Sequence, residues 1–404
     1  MRLVYKMDLT IYPTRLNGTI NAIPSKSQAH RLLICAAFSD TVTILRCPQT
    51  NQDIEATVDC LTALGARISR TEDSYIVTPI SEIPSTASLY CRESGSTLRF
   101  MLPIIGALGV ETLFHLEGRL PYRPLSPLWE EMERMGCHLS RPGEKSIKCT
   151  GKLSAGEYVI DGGVSSQYIT GLLFAMSLMD GISTLKITGK AESKPYIDMT
   201  QRALKTFGVD STDYSVSGQL PFHSPGRINV EGDWSNSAFF LAANALGSNL
   251  TISGLADDSP QGDRAVLTML ENLQNFCFIS AADIPDLIPI LSVVAAAKSG
   301  AVFTDVQRLR LKESDRVASV AAMLNNFGIS TKVAEKTLEV FPGNFHGCTI
   351  QSFNDHRIAM SAAIAATLAK GPVTILGADC VSKSYPTFWN EYKKLGGQYE
   401  QYIR

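Results

Sequence analysis

One pattern recurs along the chain and narrows the folds open to it: an amphipathic helix, a large apolar residue, a glycine, then a short strand. It occurs at Leu64-Gly65-Ala66-Arg67-Ile68, Met135-Gly136-Cys137-His138-Leu139, Phe207-Gly208-Val209, Phe327-Gly328-Ile329 and Leu395-Gly396-Gly397. Leu273-Gln274-Asn275-Phe276-Cys277-Phe278 reads as a degenerate copy that has lost its glycine. The glycine is explained as the residue just past a helix end, where a left-handed conformation costs least without a Cβ. Successive glycines fall 71, 72 and 68 residues apart (65 to 136, 136 to 208, 328 to 396). Each repeat reads as strand, helix, strand, helix, then paired strands. First helices are expected over 27–38 and 95–108, second helices over 53–64 and 127–135, and strands over 74–77, 157–160, 184–187 and 337–340. Six such units divide naturally three and three. The dividing point falls near 225–233, where a strand leads into a new helix over 235–245. A chain of 404 residues exceeds one ordinary core, so two domains are expected on length as well. No low-complexity linker interrupts it, so short, fixed crossovers should join the halves.

Composition excludes several function classes. Hydrophobic content of 45% with 19% charged residues describes a soluble globular protein. The formal net charge of −2 provides no global basic field for nucleic acid. The nine cysteines are odd in number and scattered, with no C-x-x-C pair and no zinc spacing, which points to reduced thiols in the cytoplasm. Arg2, Lys6 and Asp8 charge the chain start, and no signal-type apolar segment follows. The most apolar run, 287–297, is too short to span a bilayer.

Chemistry-bearing residues gather where helices are expected to begin. Asn21-Ala22-Ile23-Pro24-Ser25-Lys26-Ser27-Gln28-Ala29-His30-Arg31 reads as a strand end, a turn, and a helix with Pro24 in its first turn, where no backbone donor is needed. The Ser25 and Ser27 hydroxyls, the orphan N–H groups and the positive dipole end suit an anion there. Lys26 and Arg31 add charge, and Ser27 and Arg31, four apart, share a helical face. Taken alone, the stretch reads equally as a capped helix with solvated charges. Three further starts repeat the theme: Glu93-Ser94-Gly95-Ser96-Thr97-Leu98-Arg99, where Gly95 admits a close approach; Ser165-Ser166-Gln167; and Ser193-Lys194-Pro195-Tyr196. Each alone is an ordinary cap, but four in successive repeat elements favour a ligand carrying phosphate and sugar-like hydroxyls. Arg123, wedged among prolines in Pro121-Tyr122-Arg123-Pro124, is expected in a rigid, extended loop as a preorganised carboxylate or phosphate contact.

The second half supplies charge. Asp286 precedes an apolar helix over 287–297 and is either its cap or a general base. In Arg308-Leu309-Arg310-Leu311-Lys312-Glu313-Ser314-Asp315-Arg316 the first three cations alternate, so in a strand they would share a face, with Glu313 beside them. The helix that follows, over 315–327, is otherwise apolar, which argues against a merely solvated charge run. Asn354-Asp355-His356-Arg357 begins another helix. Asp379-Cys380-Val381-Ser382-Lys383-Ser384-Tyr385-Pro386 is expected to end a strand and start the last helix.

Together, Lys26-Ser27-x-x-x-Arg31, Ser94-Gly95-Ser96-x-x-Arg99, Arg123-Pro124, Ser165-Ser166-Gln167, Ser193-Lys194-Pro195-Tyr196, Pro285-Asp286, Lys312-Glu313-x-Asp315-Arg316, Asp355-His356-Arg357 and Lys383-Ser384-Tyr385-Pro386 resemble, in that order, the 5-enolpyruvylshikimate-3-phosphate synthase family. The resemblance covers essentially the whole chain. It implies an α/β fold of two domains, each of three βαβαββ units (an inside-out α/β barrel), with the active site in the cleft between them. The domains would be 24–230, and 231–404 with 1–23. It implies transfer of the carboxyvinyl group of phosphoenolpyruvate to the 5-hydroxyl of shikimate 3-phosphate. By the family pattern, Lys26, Ser27, Arg31, Ser165, Ser166, Gln167, Ser193, Tyr196, Asp286 and Lys312 surround shikimate 3-phosphate. Lys26, Gly95, Arg123, Gln167, Arg316, Arg357 and Lys383 surround phosphoenolpyruvate. Asp286, Glu313 and Lys26 are expected to carry the proton transfers. No cofactor or metal is expected, and a cytoplasmic monomer acting on two small molecules is. The alternatives are the sister enzyme acting on UDP-N-acetylglucosamine, whose Lys-Asn pair is replaced here by Lys26-Ser27, and a phosphoester-binding relative without catalysis. The chain departs from the family pattern at Glu93 and Arg308, each in place of an Asn, at Ser384-Tyr385 in place of Thr-Phe, and in a fifth unit expected to lack a strand pair between about 279 and 285.

Overall fold

The computed structural model describes residues 7–218 and 222–403. Arg2 and Lys6 lie outside the described residues. The chain forms two bodies, Pro24–Glu231 and Gly232–Arg404 together with Met1–Ile23, and passes from one to the other at 23–24 and again at 231–232. Glu231 falls with the first body because its N–H donates to the Gln28 side chain and its carbonyl accepts from the Ser25 N–H.

In the Pro24–Glu231 body the helices are α1 (Lys26–Ala37), α2 (Gln52–Ala63), α3 (Gly95–Leu108), α4 (Leu128–Arg134), α5 (Ser166–Ser177) and α6 (Lys194–Thr206). Its sheets run Arg227–Asn229, Thr43–Arg46, Ser74–Thr78, Arg67–Arg70; then Thr86–Arg92, Glu111–Leu116, Ser146–Gly151, Cys137–Ser140; then Glu157–Asp161, Ile182–Thr188, Ser215–Ser217. Each begins with a parallel pair and continues antiparallel, as a helical crossover followed by a hairpin requires. The other body carries α7 (Trp234–Ala245), α8 (Val266–Asn272), α9 (Ile288–Ala297), α10 (Arg316–Asn326), α11 (His356–Ala366) and α12 (Phe388–Lys394). Its two four-stranded sheets repeat the plan, and Met7–Tyr12 joins the last of them between Val373–Leu376 and Gln398–Ile403.

Helices lie inside each body and sheets outside. α3, α5, α9 and α11 are buried almost all round, which fits their lack of a polar face. Strand Glu157–Asp161 alternates exposed and buried residues and turns Tyr158 and Ile160 toward the helices. Each body has its own apolar cluster. Among the described residues, the six sheets stay separate and open, and none closes on itself. No helix among them is long and apolar enough to cross a membrane.

The repeat glycines behave as their spacing predicts: Gly65, Gly136, Gly208, Gly328 and Gly396 all have positive φ, from 80° to 114°. The degenerate copy keeps the bond from Gln274 N–H to the carbonyl three residues back that the glycines make, but Asn275 N–H then also bonds three residues back, where Ala66, Val209, Ile329 and Gly397 reach five back.

Four expectations need correction. Pro24 lies outside the helix, because Ser25 is the cap and Lys26 the first helical residue. Residues 307–311 form a short 3-10 helix, so Arg308, Arg310 and Lys312 do not share a strand face; Arg310 turns toward the Ala334 carbonyl (2.9 Å). The segment Ala378–Lys383 is another 3-10 helix standing between the last strand and α12. The missing strand pair belongs to the fourth unit, not the fifth. Asn17–Asn21 and Asn249–Ser253 pair only with each other, whereas Cys277–Ser280 opens a complete four-stranded sheet by pairing with Ala301–Thr304. The chain after α8 runs straight into that next strand, which leaves no length for a hairpin.

Candidate functional site

The Pro24–Glu231 body presents a set of helix starts. Lys26 opens α1 and pairs with Asp53 of α2 at 2.8 Å. One turn on, Arg31 is 2% exposed and engaged at all three nitrogens: Nε donates to Thr200 Oγ1 (2.8 Å), Nη2 to the Tyr196 carbonyl (2.9 Å) and Thr170 Oγ1 (3.3 Å), and Nη1 to the Ser27 carbonyl (2.6 Å). Burial lowers its pKa to about 10, which leaves it charged at neutral pH. Arg31 is thus an internal anchor that holds the backbone of Ser27 and Tyr196.

At α3, Ser94 caps the Thr97 N–H. A Cβ on Gly95 would lie 2.6 Å from the guanidinium nitrogens of both Arg99 and Arg123, so only glycine lets two arginines reach this helix start undisturbed. Gln167 of α5 donates to Ser96 Oγ (2.9 Å) and accepts from Arg99 (3.1 Å). The Arg123–Pro124 segment is extended, as expected, and its Pro124 carbonyl accepts from Arg99 (3.2 Å) and from the Tyr168 hydroxyl (2.6 Å). Among the described residues the Arg123 side chain donates no hydrogen bond; its Nε is buried without an acceptor. A guanidinium placed over a helix N-terminus suits an anion. Ser165 caps α5. Ser193 starts α6 in a left-handed conformation (φ 56°) and makes no side-chain cap bond.

In the other body one guanidinium gathers three acids. Arg316, 1% exposed, donates through Nε to Asp355 (2.9 Å), Nη1 to Asp286 (2.6 Å) and Nη2 to Glu313 (2.6 Å). Arg357 donates to the Asp286 carboxylate at 3.0 Å and to its carbonyl at 3.1 Å, and Lys312 lies 3.9 Å from it. Asp286 is therefore no cap: Leu287 holds that position. Burial alone would raise the Asp286 pKa, but Arg357, Lys312 and Arg316 outweigh it and hold the carboxyl far below the usual range. Lys312 moves the other way: burial first, then Arg316 and Arg308, bring it down to about 8 against the pull of Asp286 and Glu313. Asp355 caps α11 and accepts from Ser314 (3.1 Å). Lys383 donates to the Asn354 carbonyl (2.8 Å), just ahead of that cap.

The structure thus brings together, within one body, Lys26, Ser27, Arg31, Gly95, Arg123, Ser165, Ser166, Gln167, Ser193 and Tyr196, and within the other Asp286, Lys312, Glu313, Arg316, Arg357 and Lys383. Sequence reasoning missed the residues that hold these: Asp53, Thr170, Thr200 and Asp263. The last is buried, and burial with the Asp286 charge pushes its carboxyl up to about 6 against the Arg357 charge. Its only local signal is Gln261-Gly262-Asp263, which reads as a turn.

These constellations have counterparts in known proteins. The family model described as EPSP synthase (3-phosphoshikimate 1-carboxyvinyltransferase) matches residues 11–392. A curated relative, the 3-phosphoshikimate 1-carboxyvinyltransferase of Clostridium beijerinckii, is 37% identical, covering 98% of this chain and 99% of its own. The EPSP synthase of Acinetobacter baumannii shares the fold with a TM-score of 0.80 at 22% identity, over 98% of this chain and all of the other. The enolpyruvyl transferase NikO of Streptomyces tendae does so with a TM-score of 0.76 at 17% identity, over 99% of this chain and all of its own. With a match that runs from within the first described strand into the last helix, the chain belongs to the EPSP synthase (3-phosphoshikimate 1-carboxyvinyltransferase) family.

Proposed function

We propose that the chain transfers the carboxyvinyl group of phosphoenolpyruvate to the 5-hydroxyl of shikimate 3-phosphate, giving 5-enolpyruvylshikimate 3-phosphate and phosphate on the route to aromatic amino acids. Family membership supports the reading, and the observation that carries it is the Asp286 cluster. There an ionised acid sits among Arg316, Arg357 and Lys312, so a proton acceptor and the cations that two anionic substrates need occupy one place.

Shikimate 3-phosphate is assigned to Lys26, Ser27, Arg31, Ser165, Ser166, Gln167, Ser193, Tyr196, Asp286 and Lys312. Phosphoenolpyruvate is assigned to Lys26, Gly95, Arg123, Gln167, Arg316, Arg357 and Lys383. In the reaction the methylene carbon gains a proton. The 5-hydroxyl oxygen bonds to the neighbouring carbon as its own proton passes to a carboxylate. A proton then leaves the new methyl group as the carbon–oxygen bond to phosphate breaks. Asp286 is the base toward the 5-hydroxyl, and Glu313 with Lys26 handles the methylene proton. In the free protein Asp286 holds a proton too weakly to act as a base. Anions that occupy Arg316, Arg357 and Lys312 would screen it, raise its affinity for a proton, and so tie its activation to the arrival of both substrates. The cations supply the electrostatic stabilisation, and the reaction uses no metal or organic cofactor. The nine unpaired thiols support a cytoplasmic setting, and the enzyme is taken to act there as a monomer.

The deciding experiment is phosphate release from phosphoenolpyruvate with either shikimate 3-phosphate or UDP-N-acetylglucosamine as acceptor. Release with the first alone is expected. Release with the nucleotide sugar would move the chain to the sister activity, and silence with both would favour a binding protein.

Lys312 gives this reading a pH signature. Its folded pKa of about 8 lies below the ordinary lysine value of 10.5, so the cation is present below about pH 8 and is lost above it. Both substrates are fully ionised there, so only the enzyme titrates. kcat/KM for shikimate 3-phosphate is expected to fall as pH rises through about 8. Lys312→Arg, which stays charged, should flatten that limb. An alkaline limb unchanged by the substitution would detach it from Lys312.

A further inference from the structure

Helix α1 is anchored on two faces, and one of them carries a buried histidine that no substrate assignment explains. Ser27 and Arg31, four apart, occupy the first, where Arg31 ties α1 to α5 and α6 through Thr170, Thr200 and the Tyr196 carbonyl. Lys26 and His30, also four apart, occupy the second. They meet two residues of α2 with the same spacing: Lys26 pairs with Asp53 at 2.8 Å, and His30 Nδ1 lies 2.7 Å from Thr57 Oγ1. Thr57 Oγ1 is in turn 2.8 Å from Thr97 Oγ1 on α3, and Thr97 Oγ1 is 2.8 Å from Ser94 Oγ, the cap of that helix. A buried chain of side-chain hydrogen bonds therefore runs from α1 through α2 to the start of α3.

The chain has a direction. Thr97 donates to Ser94, so its remaining capacity toward Thr57 is as an acceptor. Thr57 then spends its proton on Thr97 and can only accept from His30. That places the imidazole proton on Nδ1 and leaves Nε2 bare, and Nε2 is buried with no partner. A second proton there would find no acceptor. The charged groups around the ring are Lys26 and Arg31 on α1, and Asp53 on α2, which is held by Lys26. From α3 come the Thr97 hydroxyl and the edge-on Phe100 ring, 6.2 Å away. Burial, then the charges of Lys26 and Arg31, hold His30 well below its usual pKa.

We propose that His30 is a positioning residue for phosphoenolpyruvate: as a neutral imidazole protonated on Nδ1, it opens the directed chain His30–Thr57–Thr97–Ser94 and so fixes the Lys26 side of α1 against the Gly95 start of α3. The inference rests on the proposed function, which assigns Lys26 and Gly95 to that substrate. Lys26 is assigned to both substrates but Gly95 to phosphoenolpyruvate alone, and Arg31 anchors the other face independently, so loosening this face should weaken phosphoenolpyruvate more than shikimate 3-phosphate.

The test uses the full chain with His30→Ala, His30→Asn and Thr57→Val. Thr57→Val removes one hydroxyl with little change of shape, and Asn can donate where Nδ1 does. KM for phosphoenolpyruvate is expected to rise about tenfold in Thr57→Val and His30→Ala, the size of one buried hydrogen bond. KM for shikimate 3-phosphate should stay within about twofold, and His30→Asn should recover most of the loss. Equal changes in both KM values, or none, in Thr57→Val would overturn the positioning role. Imidazole nitrogen shifts, assigned by the signal missing in His30→Asn, should show a protonated Nδ1 and a bare Nε2, unchanged from pH 8 to pH 5. A titrating ring or the opposite tautomer would overturn the directed chain. An inactive wild-type protein would overturn the substrate assignment through the function reading, while the nitrogen shifts would still report the chain itself.

Discussion

Asp286→Asn is expected to lower kcat by about a thousandfold, within the range a single general acid or base contributes. Binding of shikimate 3-phosphate should persist. Asparagine keeps an oxygen for Arg316 or Arg357, whose donors now lie 2.6 Å and 3.0 Å from the two carboxylate oxygens, so the site keeps its shape and loses its base. Glu313→Gln supplies the comparison, because Glu313 shares the Arg316 fork with Asp286 through the other terminal nitrogen. Single-turnover phosphate release measures the chemical step, and titration calorimetry measures binding. If one variant stalls at proton transfer to the methylene and the other at addition of the hydroxyl, the two roles are separated. If both turn over like wild type, neither acid carries the reaction.

Much of the fold is legible in the sequence because the repeat is marked by local chemistry. A glycine after a large apolar residue marks a helix end wherever the next turn must be left-handed, and five of the six copies have it. α3 spans the expected 95–108 because a serine cap and a glycine past its end bound an apolar run. What was not legible depends on the third dimension. Leucines alternating with cations between 308 and 312 imitate a strand, yet the segment winds into a 3-10 turn that buries Leu309 and sends Arg310 elsewhere. Residues 30 and 39 positions from Arg316 in sequence, Asp286 and Asp355, meet on its guanidinium, and nothing local announces that. Lys26 and Asp53 are the same case across 27 positions. The structure gives the spacing its meaning: Lys26 with His30 and Asp53 with Thr57 are matched four-residue steps on facing helices. The sequence places the shortened unit one repeat late because Cys277–Ser280 looks like the end of the unit before it, and only its pairing with Ala301–Thr304 shows that it begins the next.

Arg316→Met is expected to have the largest effect on stability, about 3–5 kcal/mol against the Gly232–Arg404 body, as when one partner of a buried ion pair is removed. The side chain is 1% exposed and serves Asp286, Glu313 and Asp355, the last of them wholly buried. Methionine fills the space and leaves three acids facing one another, with Arg357 and Lys312 still on Asp286 and the Ser314 hydroxyl still on Asp355. The pH dependence should change sign. In the wild type, the Asp286 pKa is depressed below its unfolded value of about 3.9. Its stabilisation is therefore fully present above that value and is lost only as pH falls through the folded pKa. In the variant, the crowded carboxylates of the folded state bind protons more readily than those of the unfolded chain, so stability should rise as pH drops from 7.5 to 5. Urea unfolding at the two pH values, followed by the buried Trp234 and Trp389 of that body, measures both effects. Arg316→Lys should fall between, since it restores the charge without the fork that reaches three acids at once. A variant that tracks wild type at both pH values with a constant offset would mean that lost packing, not released carboxylates, accounts for the destabilisation.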